Sequence, residues 1–311
     1  MSTYDTADPR AALSKQKSAV PPPVEFAAAE YAKFYETAPQ DDDANGKTWY
    51  ARGQNFIIAY TEAKPGATFS RKGQIDEYVV LLHDAPTTAD ITAGAEAKSI
   101  AGYTVTFVPP GDSSVTLPKG GRLVRMFTTR SDDLAAKCQN AAAYAKPHPN
   151  IPPFQAWPEP KGGFRIRSYS LDYPAEEGRF GRIFRCTTFM VNYIDPRRGP
   201  RDTTKLSPHF HDDFEQCSLA LEGQFIHDIR WPWVPDMRQW REDDHELCGT
   251  PSIAVIPPPA IHTTRAIDSG TNQLVDIFCP PRVDFSLKKG WVLNADDYPM
   301  PSSAHTSKSR T

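Results

Sequence analysis

The stretch Ser207-Pro-His-Phe-His-Asp-Asp-Phe-Glu-Gln-Cys-Ser-Leu-Ala-Leu-Glu-Gly223 decides how this chain is read. On a strand, residues two apart face the same side, so His209 and His211 look inward together while Phe210 turns away. Asp212-Asp213 favours a turn, because short acidic side chains bond their own backbone. From Phe214 a strand begins. Its alternation puts Glu215, Cys217, Leu219 and Leu221 on one face and Gln216, Ser218, Ala220 and Glu222 on the other. The first face is apolar apart from Glu215 and is read as the interior. An ionised carboxylate in such a place is costly unless it is paired or bound to a cation. His209, His211 and Glu215 are therefore candidate metal ligands, and Gly223 supplies the turn that ends the strand.

A second segment completes the pattern. Ile253-Ala-Val-Ile256 reads as a short apolar strand, stopped by Pro257-Pro-Pro259 because proline cannot donate to a ladder. His262 opens the returning strand, with Thr264 and Ala266 on its own face. It is the fourth candidate ligand. His-x-His is common when alone, and the whole constellation carries the reading.

His209-x-His211-x-x-x-Glu215, Gly223 after a strand, and a proline turn followed by His262 resemble the two motifs of the cupin superfamily. The resemblance implies an all-β chain of two double-stranded β-helix (jelly-roll) barrels with a few short helices. It also implies one divalent metal ion held by three histidines and one glutamate: His209, His211, His262 and Glu215. Two positions depart from the family pattern, Ala260 for a glycine and Ala266 for an asparagine, and neither is a ligand.

Composition sets outer limits. A length of 311 residues suits two ordinary domains or one large one. A net charge of -3 gives no basic field to recruit nucleic acid. No apolar run reaches about eighteen residues, so no membrane helix is expected, and Met1–Val20 lacks an apolar signal core. Five scattered cysteines, without a Cys-x-x-Cys pair, fit free thiols and a cytoplasmic setting. Thirty prolines and eighteen glycines suit a turn-rich β protein.

Along the chain, residues 1–47 read as an arm followed by an amphipathic helix over Glu25–Thr37. Residues 48–130 resemble a first, degenerate barrel. Glu77 stands there where Glu215 stands later, but Arg71, Gly73 and Ser114 fall where histidines are needed, so no metal is expected in this half. Residues 131–163 read as a helix over Ser131–Tyr144, N-capped by Ser131, and a proline-rich linker. Residues 164–301 form the metal-binding barrel, and 302–311 a disordered tail. Within the second barrel, Gln224–Gly249 is an insert rich in tryptophan. It is read with equal weight as a lid over the site or as packing between the domains.

A mixed nitrogen and oxygen shell suits Fe(II), favoured here, or Mn(II), Ni(II) or Zn(II). Four protein ligands on an octahedral ion leave two positions for substrate. The leading expectation is a dioxygenase acting on a small organic, possibly aromatic, acid. Arg230 or Arg265 would anchor its carboxylate, and His227 would act as acid or base. The same shell serves a decarboxylase, isomerase or lyase, and a metal- or ligand-binding module without turnover is the reading from another class. The expected partner is a small-molecule substrate, with homo-oligomers left open.

Overall fold

The computed structural model describes residues 27–302. Two barrels follow one another, each made of a large and a small antiparallel sheet. In the first, the large sheet runs in the order Arg167–Ser170, Thr104–Val108, Tyr78–Leu82, Gly121–Thr128, Phe56–Ala63, Gly46–Arg52, Asp41–Asp43. Its small sheet runs Ala67–Gln74, Gly111–Leu117, Ala89–Ala93, Glu96–Ile100. In the second, the large sheet runs Glu30–Lys33, Ser252–Ile256, Gln216–Glu222, Thr271–Phe278, Met190–Tyr193, Arg182–Arg185. The small sheet there is Asp244–Cys248, Phe225–Arg230, Ile261–Ala266.

Each barrel lends the other an edge strand. Glu30–Lys33 pairs with Ser252–Ile256 of the second barrel, and Arg167–Ser170 pairs with Thr104–Val108 of the first. Covering an edge in this way removes an open row of backbone donors and acceptors. It also corrects the expected helix over Glu25–Thr37, whose described part is this strand and a turn. Ala29 and Tyr31 pack on one cluster, and Ala32 and Phe34 on another. Both faces of the segment are thus covered, which alternation of a strand allows and one helical stripe does not.

The helix expected over Ser131–Tyr144 is also broken, into an α-turn at Asp132–Ala135 and a 3-10 turn at Ala141–Tyr144. Asn140 interrupts it. Its side-chain amide accepts from the Arg52 backbone N–H at 2.9 Å and donates to the Arg52 carbonyl at 2.8 Å, as a neighbouring strand would. Ser131 precedes the first turn without a side-chain cap, and its hydroxyl instead meets the Gln74 amide at 3.1 Å.

The large sheets of the two barrels face each other across a shared apolar core. Ile58, Val79, Leu81 and Met126 from the first meet Cys217, Leu219, Leu221, Val255 and Ile277 from the second. Each buried aliphatic side chain contributes about 1.5–3 kcal/mol, so this junction is a large share of the fold's stability. It also reverses one expectation. The face holding Glu215, Cys217, Leu219 and Leu221 is the junction between barrels, and the opposite face, with Gln216 and Ser218, lines the second barrel's interior.

That interior is polar. Asn192, Gln216, Ser218, His227 and Asp276 are all buried there. The first barrel is filled by Ile57, Tyr78, Val80, Ile91, Val115 and Phe127. All five cysteines are buried and free. No helix among the described residues is long and apolar enough to cross a membrane.

Candidate metal centre

Three imidazoles meet at one end of the second barrel. One ring nitrogen each of His209, His211 and His262 lies within 4.8 Å of the others. Backbone geometry brings the first and last together: His209 N–H donates to the His262 carbonyl at 3.0 Å, and His262 N–H to the His209 carbonyl at 2.8 Å. The proline turn before Ile261–Ala266 delivers His262 into this bridge, and the short strand period brings His211 back to the same side.

The rings are also oriented. His209 Nδ1 lies 2.9 Å from the Ser207 carbonyl and His262 Nδ1 lies 3.0 Å from that of Ala260, each two residues back. A carbonyl can only accept, so both Nδ1 atoms carry the proton and both Nε2 atoms keep a bare lone pair. That is how metal-binding histidines are commonly prepared. His262 Nε2 is buried without any partner, a cost that a bound cation would remove. The donor set and its orientation fit a divalent ion.

Glu215 stands apart from the three. Its carboxylate accepts from the Gln54 N–H at 2.6 Å and the Tyr144 hydroxyl at 3.1 Å, both across the barrel junction. Burial lifts its pKa to about 7. Glu77 of the first barrel does the same in reverse. It accepts from the Thr187 N–H and hydroxyl, each at 3.0 Å, and from the Tyr298 hydroxyl at 2.7 Å. The equivalence of Glu77 and Glu215 is real, and both serve as clasps between barrels.

The group facing the imidazoles is the next residue, Gln216, whose Oε1 lies 3.1 Å from His211 Nε2. Gln216 Nε2 donates to Ser218 Oγ at 3.2 Å and Asp276 Oδ1 at 3.3 Å, and Ser218 Oγ donates to the same oxygen at 2.9 Å. Gln216, Ser218 and Asp276 were not singled out by the sequence. The visible signal is the polar pair Gln216 and Ser218 alternating with three apolar residues in an otherwise buried strand. Counted back from Glu77 as from Glu215, Arg71 and Gly73 stand where His209 and His211 stand, Tyr78 stands for Gln216, and Arg71 lies opposite Ser113 as His209 lies opposite His262. The expected Arg71 and Gly73 keep their places, and the third position moves by one residue, from Ser114 to Ser113.

Among the other expected site residues, His227 faces inward. Its Nδ1 lies 3.0 Å from Thr264 Oγ1, and its Nε2 is buried without a partner. Arg265 takes the outer face and pairs with Asp228 at 2.7 Å. Arg230 is held by Asp243 at 2.8 Å. It lines a cavity of about 170 Å³ that touches His262, together with Pro208, Ile229 and Ile261. Neither arginine is brought to the ring nitrogens. Arg282 is nearer in effect: it lies 4.7 Å over Phe214, on which His211 stacks, and helps lower the His211 pKa. The Gln224–Gly249 insert supplies two strands of the small sheet. Trp233 and Trp240 stack on each other at 4.6 Å and are exposed, while Trp231 is buried against Ala29 and Tyr31.

His83, Asp84 and Glu222 form a second cluster of metal-binding residue types. Arg122 already bonds both carboxylates, and His83 Nδ1 lies 2.6 Å from the Tyr193 hydroxyl. This is an ion-pair network joining the barrels.

Burial lowers the pKa of His211 to about 3 and of His227 and His262 to about 4. The unfolded chain protonates these rings below about pH 6.5, so each contributes stability that is lost as pH falls from there toward 4. Glu215 and Asp276, lifted by burial to about 7 and about 6, oppose this over much of the same range. Burial raises Glu30, Asp76, Glu77 and Asp213 as well, so the contribution of a ring is read singly, from the urea midpoints of the metal-free protein at pH 5 and pH 7. His227→Gln is expected to raise the pH 5 midpoint relative to the pH 7 midpoint.

No protein-family description and no curated protein sequence matches the chain. Solved structures do. Oxalate decarboxylase from Lactobacillus farciminis, in its formate complex, superposes with a TM-score of 0.56 at 13% identity, covering 81% of this chain and 86% of that one. A variant of the Bacillus subtilis oxalate decarboxylase gives 0.55 at 12% identity, covering 85% and 82%. With two such barrels joined by exchanged edge strands, the chain shares the double jelly-roll (bicupin) fold of these structures.

Proposed function

We propose that this chain is a metal-dependent cupin enzyme that removes carbon dioxide from a small organic acid. The observation that carries the proposal is the convergence of His209, His211 and His262, with the bare, buried Nε2 of His262 among them. The likeness in fold to oxalate decarboxylases gives decarboxylation more support than the dioxygenase reading, which the sequence had favoured.

A divalent ion held by these imidazoles would supply Lewis-acid binding of a substrate carboxylate and, if redox-active, a path for one electron. The chain's own residues do the rest. The Phe214 ring stacks on His211 at 4.2 Å and is backed by Phe278 at 5.4 Å, which covers one face of that imidazole. Arg282, paired with Asp284 at 2.6 Å, stacks over Phe214 and closes the wall beside His211. Loss of carbon dioxide leaves a carbon that must take up a proton. His227 presents an unpartnered Nε2 into the barrel, with its other nitrogen fixed by Thr264, and is the group placed to move that proton.

The test loads the protein separately with Mn(II) and Fe(II) and supplies oxalate and a panel of small mono- and dicarboxylic acids. Carbon dioxide release without stoichiometric oxygen uptake is expected. Oxygen consumed one-for-one with product would restore the dioxygenase. Absence of turnover with every ion would leave the binding-module reading.

A further inference from the structure

The residue nearest His211 from the barrel interior is an amide, and its carboxylate neighbour stands one step behind. Gln216 is 5% exposed and Asp276 is 6% exposed, so neither shares its bonds freely with water. An ionised carboxylate accepts and cannot donate. Asp276 Oδ1 therefore takes the Gln216 amide nitrogen, at 3.3 Å, and the Ser218 hydroxyl, at 2.9 Å. With the nitrogen engaged, the amide oxygen has one direction left, toward His211 Nε2 at 3.1 Å. Turning the amide over would set oxygen against oxygen at Asp276.

We propose that Asp276 is a positioning residue which, through Gln216, gives the metal centre a ring of uncharged donors and holds the balancing negative charge behind them. This rests on the metal-centre reading above. Its consequence is a preference for substrate. An ion held by neutral groups keeps its full double charge toward the open side, so the site favours a doubly charged small anion, a dicarboxylate, over a monoanion. A glutamate in the inner position would spend part of that charge on the protein.

The decisive variants exchange the two groups. Asp276→Asn removes the charge behind the amide and, by presenting a donor as well as an acceptor, lets the Gln216 amide turn either way. The double variant Gln216→Glu with Asp276→Asn moves the carboxylate inward and puts the amide behind it, with total charge and hydrogen-bonding capacity kept. Mn(II) affinity is read by competition with a fluorescent chelator, and oxalate and formate binding by changes in the Mn(II) electron paramagnetic resonance spectrum. Asp276→Asn is expected to weaken Mn(II) about tenfold, in the range found for outer partners of metal ligands. The double variant is expected to bind Mn(II) at least as tightly as the wild type, yet to lose about tenfold in oxalate affinity with little change for formate. If Asp276→Asn does not fold, the double variant alone decides the matter through its opposite effects on metal and oxalate. A shift in urea midpoint with unchanged Mn(II) and oxalate affinities would show a merely structural role and overturn the proposal. Wild-type protein that binds no Mn(II) would overturn this and the metal-centre reading together. Mn(II) binding that depends on His262 but ignores both variants would overturn this alone.

Discussion

His262→Ala is expected to lower divalent-metal affinity by more than about 100-fold, beyond the 10–100-fold typical of outer partners alone. His262 is 1% exposed, its Nδ1 is held by the Ala260 carbonyl, and its Nε2 has no other partner. Two remaining imidazoles, one of them on exposed His209, compete poorly with water for a divalent ion. The fold should persist, because the bridge between residues 209 and 262 is made by backbone atoms. Circular dichroism and a chelator competition on one preparation separate the two effects. Unchanged affinity in a folded variant would place the ion elsewhere.

Glu215→Ala is expected to act in the opposite sense, on stability and not on metal. It strands the buried Gln54 N–H and Tyr144 hydroxyl, at about 1–3 kcal/mol each, and opens a cavity. A loss of about 3–5 kcal/mol follows from these two contributions. Glu77→Ala should lose a similar amount, since its carboxylate engages Thr187 and Tyr298 in the same manner. Urea unfolding of both variants tests this, with chelator competition on the Glu215 variant alongside. A large fall in metal affinity with normal stability would return Glu215 to the ligand set.

The contrast between these two residues shows how far the sequence could be read. His209, His211 and His262 were legible because spacing on strands and a proline turn are local properties. Glu215 was misplaced by one step of a two-residue period, and on a strand one step changes the face. Both faces of Gln216–Glu222 are buried, one against the other barrel and one around a polar interior. Hydrophobicity alone therefore pointed to the wrong side. The strand at Glu30–Lys33 escaped for a related reason: its partner, Ser252–Ile256, is more than two hundred residues away. Edge pairing at that distance leaves no periodic trace in the segment itself. Arg230 and Arg265 carried the right charge for a carboxylate, but Asp243 and Asp228 already hold them.

A crystal of the Mn(II)-loaded protein, measured at the manganese absorption edge, addresses the metal centre most directly. The anomalous peak should lie among the ring nitrogens of His209, His211 and His262, with the Glu215 carboxylate still bonded to Gln54 and Tyr144. A peak at His83 and Glu222, or one drawing Glu215 into its ligand sphere, would contradict the site described for this chain.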